Sequence, residues 1–150
     1  MRDKETSLKE KLKQALTSTV RVISDDLEVK RKLEPNNKNF KKFDFFQLEN
    51  LTNKNDFIKA RADSDSSALK KKFSNDKIYK KNLPNNSNCK SLYAIAEKIR
   101  YEALGGQMLK GIKKNFIDNY SQMIISKKKD QLKTKEDVPV AEAFELYMLK

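Results

Sequence analysis

The sequence predicts an all-α domain of about five helices joined by long polar loops. Three observations carry that expectation. Apolar residues recur three and four apart through most of the chain, which is the period of a helix face. Gly and Pro number only 3 each, too few for the tight turns of a sandwich or barrel. The 150 residues suit one domain, residues 1–150, and a chain of that length buries roughly two thirds of its unfolded surface. Hydrophobic residues make up 37% and charged residues 36%, below and above their ordinary shares. A small core under a broad solvated surface is expected.

The first segment places Leu8, Leu12, Ala15, Leu16, Val20 and Ile23 on one helical face. Ser7 and Glu10 have capping-box spacing, which starts this helix at about Ser7 and runs it to about Ser24. Lys30 to Lys42 is basic and Asn-rich, holds Pro35 and reads as a loop. Phe43, Phe45, Phe46, Leu48 and Leu51 form an apolar patch of mixed periodicity, expected to pack on the helices as a short turn or extended piece. A second helix begins at Thr52 or Asn53 and carries Phe57, Ile58, Ala62, Leu69 and Phe73. Its polar middle, Asp63 to Ser67, marks a potential break. Ser74 to Asn88, with Pro84, is a further loop.

The third helix has the clearest pattern, with Leu92, Ile95, Ala96, Ile99, Ala103 and Leu104 on one face. Gly105-Gly106 reads as its C-cap or a hinge. A fourth helix carries Leu109, Ile112, Phe116, Tyr120, Met123 and Ile124. The basic linker Lys127 to Lys135 leads to a last helix opening near Asp137, with Pro139 in its first turn. That helix shows Val140, Ala143, Phe144 and Tyr147, and its stripe reaches the final residues, as expected of a fragment of a longer protein.

Composition excludes several kinds of chemistry. No run approaches the roughly 18 apolar residues of a membrane span, and no apolar segment follows Met1 to Glu5, so neither a span nor a secretory signal is expected. Histidine is absent and Cys89 is the single cysteine. Zinc sites and Cys–His or Ser–His pairs therefore lack their residues. The thiol count fits a reducing cytoplasm, and Cys89 reads as a bystander thiol near a helix start.

The formal charge is +12, but 28 of the 33 basic residues are lysine and 5 are arginine. The lysines are scattered as Lys70-Lys71-Lys72, Lys80-Lys81, Lys113-Lys114 and Lys127-Lys128-Lys129. A nucleic-acid surface more often shows arginines, or aromatics interleaved with basic residues. Weak polyanion binding follows from charge alone; a basic helical nucleic-acid-binding protein is the alternative reading.

Two tempting motifs fail. Gly106-x-x-x-x-Gly111 has P-loop glycine spacing, but Ile112 stands where the lysine belongs and no apolar strand precedes it. Asp63-x-Asp65-x-Ser67 resembles the opening of a calcium loop, yet Ala68 replaces the required glycine. A polar helix start or exposed turn is the ordinary reading of that stretch. The Asn-x-Ser/Thr triplets at Asn50, Asn85 and Asn119 carry no weight without secretion. Glu97 and Arg100 lie three apart on one helix face, with Glu102 adjacent. This is either a surface ion pair, worth under about 1 kcal/mol, or a buried packing pair or docking site.

Glu97-Lys-Ile-Arg100-Tyr-Glu102-Ala103-Leu104-Gly105, followed by Gly111 and Asn115, resembles the E-x-x-R-x-E-A-L/I-G signature, with its later Gly and Asn, of the CobT subunit of aerobic cobaltochelatase. Upstream, Arg61, Asp65, Ser66, Ala68 and Leu69 match that family's R-G-x-A-D-S-x-A-L stretch. Pro84 falls at the family's proline, and the spacing from Arg61 to Asn115 is ungapped. Weaker echoes lie in Arg21 to Val29 and Pro139 to Ala143, so the likeness spans nearly the whole chain. It departs at Ser74-Asn75 and Tyr79, where the family carries His-Asp and a later His.

The resemblance implies a cytoplasmic subunit that partners an AAA+ ATPase subunit and a large substrate-binding subunit. The complex inserts Co2+ into hydrogenobyrinic acid a,c-diamide in aerobic cobalamin biosynthesis, using ATP and Mg2+. The family's von Willebrand factor A domain, with its metal-ion-dependent adhesion site, lies C-terminal to an acidic linker. This chain then corresponds to the N-terminal domain, with no catalytic, cofactor or metal residues of its own. Arg61, Asp65, Ser66, Glu97, Arg100, Glu102, Gly105, Gly111 and Asn115 are the motif positions expected to serve packing or docking.

Overall fold

A computed structural model describes residues 2–25, 53–130 and 138–149, and the side chains of residues 10–25, 53–126 and 138–149. Six helices follow one another among these residues: α1 (Arg2–Ser24), α2 (Lys54–Phe73), α3 (Asp76–Lys81), α4 (Ser87–Met108), α5 (Lys110–Asp130) and α6 (Val140–Met148). There is no strand among the described residues. The fold is all-α, as the spacing of apolar residues predicts. The patch from Phe43 to Leu51 lies outside the described residues.

α1 begins five residues before Ser7 and passes through it, so Ser7 is not its cap. Leu16, Val20 and Ile23 are buried where α1 meets α2, whereas Ala15 on the expected stripe is exposed. α2 starts as its sequence predicts. The Asn53 side chain accepts from the Asp56 amide at 2.9 Å, and Asp56 accepts from the Asn53 amide at 3.2 Å. That reciprocal capping box satisfies two otherwise orphaned donors.

The potential break at Asp63 to Ser67 is absent, because α2 runs unbroken to Phe73. Its polar middle is not an exposed turn either: Ser64 and Asp65 are buried. Ser64 survives burial by donating to the Ala60 carbonyl of its own helix, and Asp65 by accepting from a neighbouring one. The loop expected from Ser74 to Asn88 contains the short helix α3, capped by Asn75, whose side chain accepts from the Lys77 and Ile78 amides.

α4 differs most from its sequence pattern. It continues through Gly105 and Gly106 to Met108, neither glycine has a positive φ, and neither is a C-cap. Its fully buried residues are Tyr101, Glu102 and Gly105, while Ala103 is exposed. The cause is its position: α4 packs against α2, α5 and α6 together, so more than one face is covered. α5 buries Ile112, Phe116 and Tyr120 at helical spacing, and its backbone remains helical through Lys127 to Asp130. α6 opens after Pro139, whose carbonyl accepts from the Glu142 and Ala143 amides. It turns Val140, Ala143 and Tyr147 to solvent and sets Leu149 against the core. No helix among the described residues is long and apolar enough to cross a membrane.

Candidate functional site

The motif residues converge on the interfaces between α2, α4 and α5. Glu102 is 5% exposed, and both of its oxygens are engaged. Ser66 on α2 donates its hydroxyl to Oε1 at 2.5 Å, and Tyr120 on α5 donates its phenol to Oε2 at 2.7 Å. One carboxylate thus joins three helices. Burial pushes its pKa above the ordinary range, and the two hydrogen bonds and the charge of Lys98 pull against that. Tyr120 is also raised, first by burial and then by the neighbouring carboxylate, so its phenol stays protonated and remains a donor.

Asp65 lies one residue before Ser66 and is 1% exposed. Asn115 on α5 donates its amide nitrogen to Oδ2 at 2.6 Å. Burial raises this carboxyl too, while the Asn115 bond and the charge of Arg61 oppose the shift. Arg61 itself is solvent-exposed. Ser66 and Asp65 therefore tie α2 to α4 and to α5 respectively, from adjacent positions on one helix.

Glu97 and Arg100 form a second tie, at the C-terminal end of α2. The Arg100 guanidinium holds Glu97 through two bonds, Nε to Oε2 at 2.7 Å and Nη2 to Oε1 at 2.8 Å. The same Nη2 donates to the Phe73 carbonyl at 2.8 Å, one of the carbonyls a helix end leaves without a partner. Ser74 donates to Glu97 Oε1 at 2.6 Å. The Arg100 bonds hold the Glu97 carboxyl below the usual range against the desolvation that raises it. Arg100 is 46% exposed. The pair is internal, but it is not the largely buried packing pair among the readings of the sequence.

Gly105 has a packing reason to be glycine. A methyl group placed there would overlap both terminal carbons of Leu69 and stand 2.9 Å from its Cγ. Leu69 is itself 1% exposed, so α2 and α4 are close enough at this point to leave no room for a side chain at 105. Gly111 is different: it sits in the first turn of α5, with nothing within 4 Å of the place its side chain would occupy. It takes no part in the network.

Sequence reasoning missed the roles of four residues. Tyr120 reads as a core aromatic, yet its hydroxyl is the second donor to Glu102. Ser74 reads as loop, yet it completes the Glu97 site. Leu69 explains Gly105. Lys98 reaches Glu145 on α6 at 3.2 Å and lies over the Tyr120 ring, 5.3 Å from its centroid. A buried tyrosine needs a partner for its hydroxyl, which is the one signal that pointed to Tyr120 beforehand.

Beside this network lies an apolar groove of about 510 Å3, lined by residues of α4 and α5 together with Met148 and Leu149. Ile99, Phe116 and Ile117 line it, as do Glu102 and Tyr120 of the network, and Lys113 lines it close to Gly106. Cys89 is exposed, and no cluster of three or more metal-ligating side chains occurs among the described residues.

Comparison with curated proteins and with solved structures gives no match. The family model described as cobalamin biosynthesis protein CobT matches residues 6–149. A match across almost every residue, motif block included, shows that this chain belongs to the CobT family of cobalamin biosynthesis proteins.

Proposed function

We propose that this chain is the helical interaction domain of a cobaltochelatase CobT subunit, acting by docking on the other subunits and not by chemistry of its own. The observation that carries the reading is the use the fold makes of the motif residues. Ser66 with Glu102 and Asp65 with Asn115 bond across helix boundaries, and the Glu97–Arg100 pair within α4 reaches the Ser74 hydroxyl and the Phe73 carbonyl at the end of α2. These bonds spend the motif's polar atoms on aligning helices. An enzyme's acid, base or nucleophile must instead present itself to substrate.

In this reading the partners are the AAA+ ATPase subunit and the large subunit that holds the corrinoid precursor. The complex would use ATP and Mg2+ to insert Co2+, its substrate metal, in the cytoplasm. The C-terminal von Willebrand factor A domain of the family would belong to a longer form of the protein. The decisive experiment is capture of the matching purified ATPase subunit by the purified chain, with and without ATP. Saturable capture is expected, together with no ATP turnover and no cobalt insertion by the chain alone. Turnover that co-purifies with the chain, or absence of capture under both conditions, overturns the proposal. Tight, sequence-selective retention of a defined DNA or RNA at physiological salt would favour the basic nucleic-acid-binding alternative.

A further inference from the structure

We infer that the α4–α5 groove is the docking site for an amphipathic helix of a partner protein, with acidic residues along that helix's polar edge. The inference rests on the reading of the chain as an interaction domain and names the surface and the chemistry of its partner. Three features of the groove carry it.

The first is its length. On α5 the lining runs from Lys113 through Phe116, Ile117, Tyr120 and Ser121 to Ile124. Those eleven steps span about 16 Å at 1.5 Å per residue, or about three helical turns. The second is exposed apolar surface of the kind a helix face covers. Ile117 is 53% exposed and Met148 41%, and both line the groove. The flexible thioether of Met148 adapts to a docked side chain.

The third is charge. Lys113 lines the groove, and the exposed Lys110 and Lys114 flank it on α5, with Asp118 one turn beyond Lys114 as the single acidic residue of that edge. Lys72 and Lys98 are paired with Asp25 and Glu145, whereas Lys110, Lys113 and Lys114 have no carboxylate partner among the described residues. The one carboxylate in the lining, Glu102, already accepts two hydrogen bonds from within the bundle. An apolar lining flanked by three lysines against one aspartate has a net positive border, which favours a helix that is apolar on one face and acidic beside it.

The test uses two synthetic helical peptides of about four turns, each with leucines on one face. One carries glutamates on its remaining faces and the other carries lysines. Each is titrated into isotope-labelled chain and followed by NMR. The acidic peptide is expected to shift Gln107, Lys113, Ile117, Ser121 and Met148 and to bind about tenfold more tightly than the basic one at low salt. Lys110→Glu with Lys113→Glu should remove or invert that preference, while Lys77→Glu with Lys80→Glu on α3 should leave it. Equal binding of both peptides, shifts confined to another surface, or no binding overturns the inference. So do groove shifts produced by decanoate but not by the acidic peptide, which would make the groove a small-amphiphile site.

Capture of the ATPase and large subunits separates this inference from the function it rests on. Ile117→Glu alters an exposed residue and is expected to leave the melting temperature near wild type while abolishing capture. If this variant unfolds, the double lysine variant takes its place. Capture unaffected by either variant overturns the groove and leaves the function standing. Peptide binding in the groove without capture of either subunit upholds the groove and overturns the function.

Discussion

Replacing Gly105 by alanine tests the close approach of α2 and α4 at Leu69. The substitution has two opposing effects. Alanine is favoured over glycine inside a helix by about 1 kcal/mol, and Gly105 lies well inside α4. Against this, the new methyl overlaps the two terminal carbons of Leu69. Leu69 is 1% exposed and is surrounded by core, so it cannot swing into solvent. Overpacking of this kind typically costs about 1–3 kcal/mol, and an overlap with two carbons of an enclosed side chain belongs at the upper end. The net expectation is a loss of about 2 kcal/mol, which for a domain of this size lowers Tm by about 4–8 °C.

Urea unfolding followed by helical circular dichroism measures it, with the midpoint lowered and the slope unchanged. Gly111→Ala is the internal control, because open space surrounds that position. It should be neutral or stabilising by up to about 1 kcal/mol. Gly105→Ala with Leu69→Ala should lose less than the sum of the single losses, since the smaller side chain makes room for the methyl. If Gly105→Ala is as stable as wild type, or if the two glycine variants behave alike, the close approach of α2 and α4 at this point is wrong.

Three further outcomes are expected. Asn115→Ala removes the donor to the buried Asp65 carboxylate and should cost about 1–3 kcal/mol by denaturant unfolding, whereas Asp65→Asn should recover part of that loss in the Asn115→Ala background. Arg100→Ala breaks two bonds to Glu97 and one to the Phe73 carbonyl, but solvent reaches the site, so the loss should be about 1 kcal/mol; a Tm equal to wild type would mean that Arg100 does not hold α2 to α4. Glu102→Gln tests the sign of the pH dependence. A carboxyl whose folded pKa is raised contributes stability that is present below its unfolded value of 4.5 and lost as pH rises through the folded value. The variant should therefore show a smaller decline in stability from pH 4.5 upward than wild type, and parallel profiles would count against the assignment. Glu97 has the opposite sign: its lowered pKa contributes stability above the unfolded value that is lost as pH falls through the folded one.

How far the sequence reveals the fold depends on how many neighbours each helix has. α1 and α5 each show a single buried stripe, Leu16-Val20-Ile23 and Ile112-Phe116-Tyr120, and apolar spacing finds both. α4 is enclosed by three other helices, so its buried set includes Tyr101, Glu102 and Gly105, which a one-face pattern ignores. The polar run in α2 was illegible for a related reason. Asp65 and Ser66 look exposed because their partners, Asn115 and Glu102, lie 50 and 36 residues away. Nothing local announces those bonds. Resemblance did select Asp65, Ser66, Glu97, Arg100, Glu102 and Asn115, but not their partners Tyr120 and Ser74, and it did not tell which bonds to which. It also included Gly111, where a side chain would meet open space, on equal terms with Gly105, where one would meet Leu69.

The polar network and the groove are two sides of the same pair of helices. Glu102 and Tyr120 bond to each other, and both also line the groove. A buried carboxylate with two donors tolerates little sliding, because a shift of either helix by one turn strands a charge where water cannot compensate it. Apolar contacts are less exacting, since one leucine-sized group packs about as well as another. The hydrophobic core therefore holds α4 and α5 together, and the Ser66–Glu102–Tyr120 link sets their relative position. On this argument, Tyr120→Phe should do modest harm to stability, because Phe keeps the ring in the core and one of the two donors to Glu102 remains. Its larger effect should be on the groove. NMR shifts at Ile117 and Met148 should broaden or double as the helices sample neighbouring positions, and binding of the acidic peptide should weaken more than stability falls. Sharp single resonances and unchanged affinity in Tyr120→Phe would show instead that apolar packing alone fixes the groove walls.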